Sequence, residues 1–81
     1  MFRIELSDPS RLVELRDFYV KVQAVARING KGLIVRLAGP PDANDERRLH
    51  AYLQTWLALA EASGRPVRAE LSQEEAGSSH G

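Results

Sequence analysis

The chain of 81 residues contains no cysteine, which excludes disulfide bridges and thiolate metal centres. It also carries no net charge, because eleven basic residues balance eleven acidic ones. Broad electrostatic capture of nucleic acid or of an anionic membrane is therefore not expected. No apolar run approaches the ~20 residues of a membrane-spanning helix, and the opening residues MFRIELSDPS lack the apolar centre of a secretory signal. His50 and His80 are the only histidines, and a metal site needs several converging ligands. These deficits point to a soluble, cytoplasmic protein with no resident metal or cofactor. A chain this short buries only about 60% of its unfolded surface. Pairing with a second copy is a common remedy.

What is present is strongly patterned. Residues 42–63, DANDERRLHAYLQTWLALAEAS, form the longest periodic stretch and hold the only tryptophan. Leu49, Leu53, Trp56 and Ala60 follow the spacing of one helical face. Pro40-Pro41 precedes the stretch, Asp42 or Asn44 can cap it, and Asp45 and Glu46 sit at the positive end of its dipole. Gly64 and Pro66 end it. Such a helix, about 33 Å long, overhangs strands of about 20 Å. Residues 42–48 have no large apolar side chain and are expected to project into water. The apolar stripe, spread from Leu59 through Trp56 to Leu57, is wider than a narrow seam needs. Arg47 and Arg48 on the overhang are a candidate contact for a partner protein, set against the simpler reading of a solvated helix end.

Phe2, Ile4 and Leu6 alternate with Arg3, Glu5 and Ser7, as in a one-sided strand. Asp8-Pro9 reads as a helix start. Leu12, Leu15, Tyr19 and Val22, helped by Phe18, line one face of a first helix. Val20, Val22, Val25 and Ile28 are β-branched and favour a strand. No glycine marks the change from helix to strand, which is placed near residues 21–23. Asn29-Gly30-Lys31-Gly32 signals a hairpin. Leu33, Val35 and Leu37 then alternate with Ile34 and Arg36, and Val67, Ala69 and Leu71 alternate with Arg68 and Glu70 in a last strand. From Gln73 onward the chain is polar and Gly/Ser-rich, the composition of a disordered tail. The expected division is a single domain over 1–72 and a tail over 73–81.

The element order is β-α-β-β-α-β. Right-handed crossovers place both helices on one sheet face. The arrangement resembles the ferredoxin-like fold, an α+β class with two helices on one face of a four-stranded antiparallel sheet in the order 4-1-3-2. That resemblance implies little about activity, since the fold hosts metal carriers, RNA binders, amino-acid-sensing domains and acylphosphatases.

Helices on one side leave the other side bare. By alternation the bare face carries Arg3, Glu5, Gln23, Val25, Arg27, Ile34, Arg36, Arg68 and Glu70. One reading is a solvated face with weak cross-strand Arg–Glu pairs. The sharper reading is a contact surface, with Arg3, Glu5, Val25, Arg27, Ile34, Arg36 and Arg68 as its residues. Four arginines surround two exposed aliphatics, Val25 and Ile34, and arginine is enriched in interfaces where lysine is not. Self-association as a homodimer, through this face or the broad stripe of the second helix, is the expected function. A small-ligand regulatory domain, in the manner of amino-acid-sensing folds, is the alternative.

Other chemistries lack their residues. Residues 31–38, KGLIVRLA, fall where RNA-recognition domains carry a basic residue, glycine and three aromatics. Here Leu33, Val35 and Ala38 stand at the aromatic positions, so no base can stack. The loop Ser7-Asp8-Pro9-Ser10 lacks the cysteine pair of metal carriers. Asp8 at the helix cap would repel the anion that acylphosphatase chemistry needs there. Gly30-Lys31-Gly32 is too short to cradle a phosphate. Ser7, Ser10, Ser63 and Ser72 have no evident base beside them, and no carboxylate pair is isolated in apolar sequence. His50 has Glu46 one turn earlier, ordinary surface spacing. No catalytic activity is expected.

Overall fold

Alternation builds the sheet. In the computed structural model, which describes residues 1–73, strand β1 (Phe2–Leu6) buries Phe2, Ile4 and Leu6 and turns Arg3 and Glu5 to the other side. Asp8 then caps a 3-10 turn, Pro9–Arg11, by accepting from the Ser10 amide at 3.2 Å and the Ser10 hydroxyl at 2.6 Å. Those two bonds, the hydroxyl's foremost, hold the Asp8 carboxyl below its ordinary value. Pro9 occupies the first helical position, where its missing N–H costs nothing. Helix α1 (Leu12–Lys21) follows and buries Leu12, Leu15 and Tyr19.

The change to strand falls at residues 22–23, inside the window that the β-branched residues mark. Val22 closes α1, and Gln23 takes a left-handed φ of +67°. Strand β2 (Ala24–Asn29) begins directly after it. Gln23 is thus part of the turn and not of the open sheet face to which alternation assigns it. Gly30 and Lys31 link β2 to β3 (Gly32–Leu37). The φ is positive at Gly30, +63°, and not at Lys31, which is the sense of a type II′ hairpin.

Helix α2 (Asp45–Ala62) starts three residues later than its sequence stretch. Asp42 spends its side chain on the Asn44 amide at 2.7 Å, and Asp45 reaches back to the Asp42 amide at 3.1 Å. These exchanged bonds hold residues 42–44 in a turn. At the far end, the Arg65 amide bonds to the Ala60 carbonyl and the Gly64 amide to the Glu61 carbonyl, both at 3.0 Å. That pattern terminates the helix with its last carbonyls satisfied. Strand β4 (Ala69–Gln73) completes the chain. Gln73 pairs with Phe2 as the last residue of this strand; the rest of the tail expected over 73–81, with His80, lies outside the described residues.

The four strands are antiparallel in the order β2-β3-β1-β4, which read from the other edge is 4-1-3-2. Leu12, Leu15 and Tyr19 from α1 join Leu49, Leu53 and Trp56 from α2 against Ile4, Leu33 and Val35 in one core. Both helices therefore cover the same side of the sheet, and the α+β arrangement is ferredoxin-like. Tyr19 donates its buried hydroxyl to the Leu49 carbonyl at 2.7 Å and ties the two helices together. Arg11, only 6% exposed, ties their other ends. Its guanidinium lies 5.3 Å from the Trp56 ring centroid, bonds to the Arg65 carbonyl at 2.9 Å and pairs with Glu14 at 2.8 Å. Glu46, Arg47 and Arg48 in the first turn of α2 are exposed.

Candidate functional site

The strand register lays out the uncovered face in rows. Arg27, Ile34, Arg3 and Ser72 form one row across β2, β3, β1 and β4. Asn29, Gly32, Glu5 and Glu70 form the next. On the other side of the first row, Val25 stands opposite Arg36. The sheet thus brings together Arg3, Glu5, Val25, Arg27, Ile34 and Arg36, as alternation requires.

Two residues depart from expectation. Ile34 is buried, 7% exposed, although it points away from the helices. It is flanked on both sides by arginines, Arg27 and Arg3, and long apolar stems beside a residue in this way account for its burial. Val25, at 46% exposure, is the aliphatic that remains open. Arg68 also departs from expectation. It precedes β4, beside Ser7, whose hydroxyl accepts from the Arg68 amide at 3.1 Å. Three rows, or about 20 Å along the strands, separate it from Arg36. Three arginines border the aliphatic patch, and the fourth lies beyond the glutamates.

Charge is unevenly placed on this face. Arg3 donates to Glu5 and to the Asn29 carbonyl, each at 3.2 Å. Among the described residues, Arg27 and Arg36 have no carboxylate partner, and neither has Glu70. Glu5 and Glu70 stand directly opposite one another on β1 and β4, a like-charge juxtaposition in which Glu5 is paired with Arg3. The result is a basic corner over β2 and β3 and an acidic corner over β1 and β4. Beside the basic corner lies a hollow of about 330 Å³ lined by Met1, Val25, Arg27, Ile34, Val35 and Arg36. Met1 is the residue that sequence reading passed over. Extending the β1 alternation back by one position would have placed it on this face.

The second candidate surface is largely consumed by the core. Leu49, Leu53, Trp56 and Ala60 are buried, and Tyr52 and Leu57 pack against the cluster. Only Leu59, 58% exposed, is left to solvent. The stripe is broad because α2 covers the sheet and flanks α1 at the same time, with the Tyr19 and Tyr52 rings meeting edge-on at 6.3 Å.

His50 is exposed and lies 3.3 Å from the Gln54 amide nitrogen. Among the described residues no three His, Cys, Asp or Glu side chains converge as metal ligands, and no helix is long and apolar enough to cross a membrane. No family model, no curated protein and no solved structure matches this chain.

Proposed function

We propose that the domain is a small non-catalytic interaction module that pairs with a second copy of itself through the open sheet face. The observation that carries this reading is the division of that face into a basic corner, an acidic corner and an apolar hollow between Met1, Val25 and Ile34. A two-fold partner whose strands cross at a large angle sets the basic corner of each copy over the Glu5–Glu70 pair of the other. The contact supplies partners to Glu70, Arg27 and Arg36, which have none among the described residues of one copy.

Four strands about 4.8 Å apart make a face roughly 19 Å wide and about 17 Å long. That flat area, about 320 Å² per copy, is in the class of weak, transient contacts, and association is expected in the micromolar range. Multi-angle light scattering on the full chain tests it. A dimer that weakens in high salt and is lost in Val25→Glu is expected, because exposed charge pairs are screened. A strict monomer at tens of micromolar removes the proposal. If a metabolite raises the melting temperature of that monomer, a ligand-binding regulatory role takes its place.

A further inference from the structure

Among the described residues, the outer edge of β4 is a second unpartnered feature. The bond from the Ser7 amide to the Arg68 carbonyl, 2.9 Å, fixes the parity of this strand. Arg68, Glu70 and Ser72 turn their backbone groups toward β1, so Ala69, Leu71 and Gln73 turn theirs outward. Among the described residues β4 pairs only with β1. Helix α2 does not close over the edge. A hollow of about 640 Å³ lies between them, lined by Glu46, Arg47 and His50 from the helix and by Ala69, Glu70 and Leu71 from the strand. Of the devices that blunt an edge, the strand carries only the charge of Glu70. It holds no lysine and no proline, and it pairs with β1 in unbroken register.

We infer that β4 pairs antiparallel with β4 of a second copy, about a two-fold axis at Leu71. The edge itself selects this register. Outward-facing residues must stand opposite one another to exchange hydrogen bonds, so Leu71 meets its twin, Ala69 or Gln73, and the last of these pairs only Leu71–Gln73 of the described strand. The second choice centres the axis on Glu70 and sets two carboxylates face to face, which is unfavourable. The first sets Glu70 opposite Ser72 and Ala69 opposite Gln73, with about six backbone hydrogen bonds across the seam. Charge in the groove is complementary under the same axis. Glu46 and Arg47 both line the groove, so each copy offers an acid and a base to the other across the axis.

This seam is separate from the open sheet face and does not depend on it. Either two-fold contact alone stops at a dimer. The open face pairs first, at tens of micromolar, and only at the higher concentrations where the edge pairs as well does the assembly extend to a tetramer or a filament.

The test is residue-resolved amide hydrogen exchange on the full chain carrying Val25→Glu, which removes pairing through the open face, from low micromolar to near-millimolar concentration. The amides of Ala69, Leu71 and Gln73 are expected to slow by about tenfold or more on concentrating. Those of Ala24, Ala26 and Ile28, on the opposite edge of the sheet, should not. Leu71→Pro deletes one outward donor and leaves the bonds to β1 intact, so the slowing should vanish. Exchange that does not depend on concentration, or slowing that survives Leu71→Pro, overturns the inference. If Leu71→Pro does not fold, Gln73→Pro, at an exposed position with an outward amide, takes its place. Failure of the open-face reading would register separately, as wild-type self-association that Val25→Glu leaves unchanged.

Discussion

The guanidinium of Arg3 lies against Gly32, where a Cβ on the glycine would stand 2.7 Å from Cζ of the arginine. Gly32 has no left-handed φ, so its role there is space. The bare backbone lets Arg3 cross from β1 over β3 and reach the Asn29 carbonyl of β2. Gly32→Ala should therefore evict the guanidinium while leaving the backbone unstrained. Arg3→Ala and Gly32→Ala are each expected to cost less than about 1 kcal/mol. Because both lose the same contact, the double variant should cost no more than Arg3→Ala alone. Urea unfolding of the full cycle reads the coupling. Strictly additive costs would show that the contact stabilises nothing.

Val25 and Ile34 share a face but should answer to different measurements. Val25 is open, so Val25→Glu should lower self-association and move thermal stability little. Ile34 is buried beside its arginine neighbours, and Ile34→Ala should cost about 2 kcal/mol, the low end for a buried isoleucine because it lies outside the main core cluster. Light scattering and chemical unfolding on both variants separate the two roles. Equal losses of stability would put Val25 in the core as well.

The element order and the two faces of the sheet were legible because alternation in β1 and β3 is nearly perfect and α2 has a start, a face and a stop. What alternation reports is direction, not exposure. It places Ile34 on the open face correctly, but whether Arg3 and Arg27 stand beside it depends on cross-strand register, which a single strand does not encode. Gln23 was misplaced for a related reason. A glycine would have announced the left-handed turn, and glutamine there is silent. Arg11 was hidden because its partners, Trp56 and the Arg65 carbonyl, are more than forty residues away in sequence. The groove beside β4 arises from how α2 sits over the sheet, which no local pattern states.

Tyr19 should leave a mark on the alkaline limb of stability. Its buried hydroxyl donates to Leu49, and burial pushes the phenol well above its ordinary value. Below about pH 10 both folded and unfolded states keep the proton. Above that the unfolded chain releases it while the native state holds it, so stability falls as pH rises, by up to about 1.4 kcal/mol per unit. Tyr19→Phe should lose about 1 kcal/mol near neutrality through the missing hydrogen bond, yet show a shallower alkaline decline. Urea midpoints from neutral pH to about pH 11 test this; parallel curves for the two proteins would deny that the phenol is held protonated by burial.

Gln23 holds the passage from α1 to β2 in a conformation that side chains resist. A left-handed φ costs a residue with a Cβ about 1 kcal/mol or more, and glycine is free of that cost but adds about 0.4–1 kcal/mol of unfolded-state entropy. Gln23→Gly should therefore stabilise by at most about 1 kcal/mol. Gln23→Asn should be close to wild type or slightly better, since asparagine tolerates this region. Gln23→Val should destabilise, because a branched Cβ crowds the same carbonyl more severely. Because the side chain is exposed, differences in packing do not obscure the backbone term. Urea midpoints at unchanged slope should rank glycine first and valine last. The reverse order would mean that the turn relaxes out of the left-handed region in solution, and with it the sharp switch that lets β2 start one residue later.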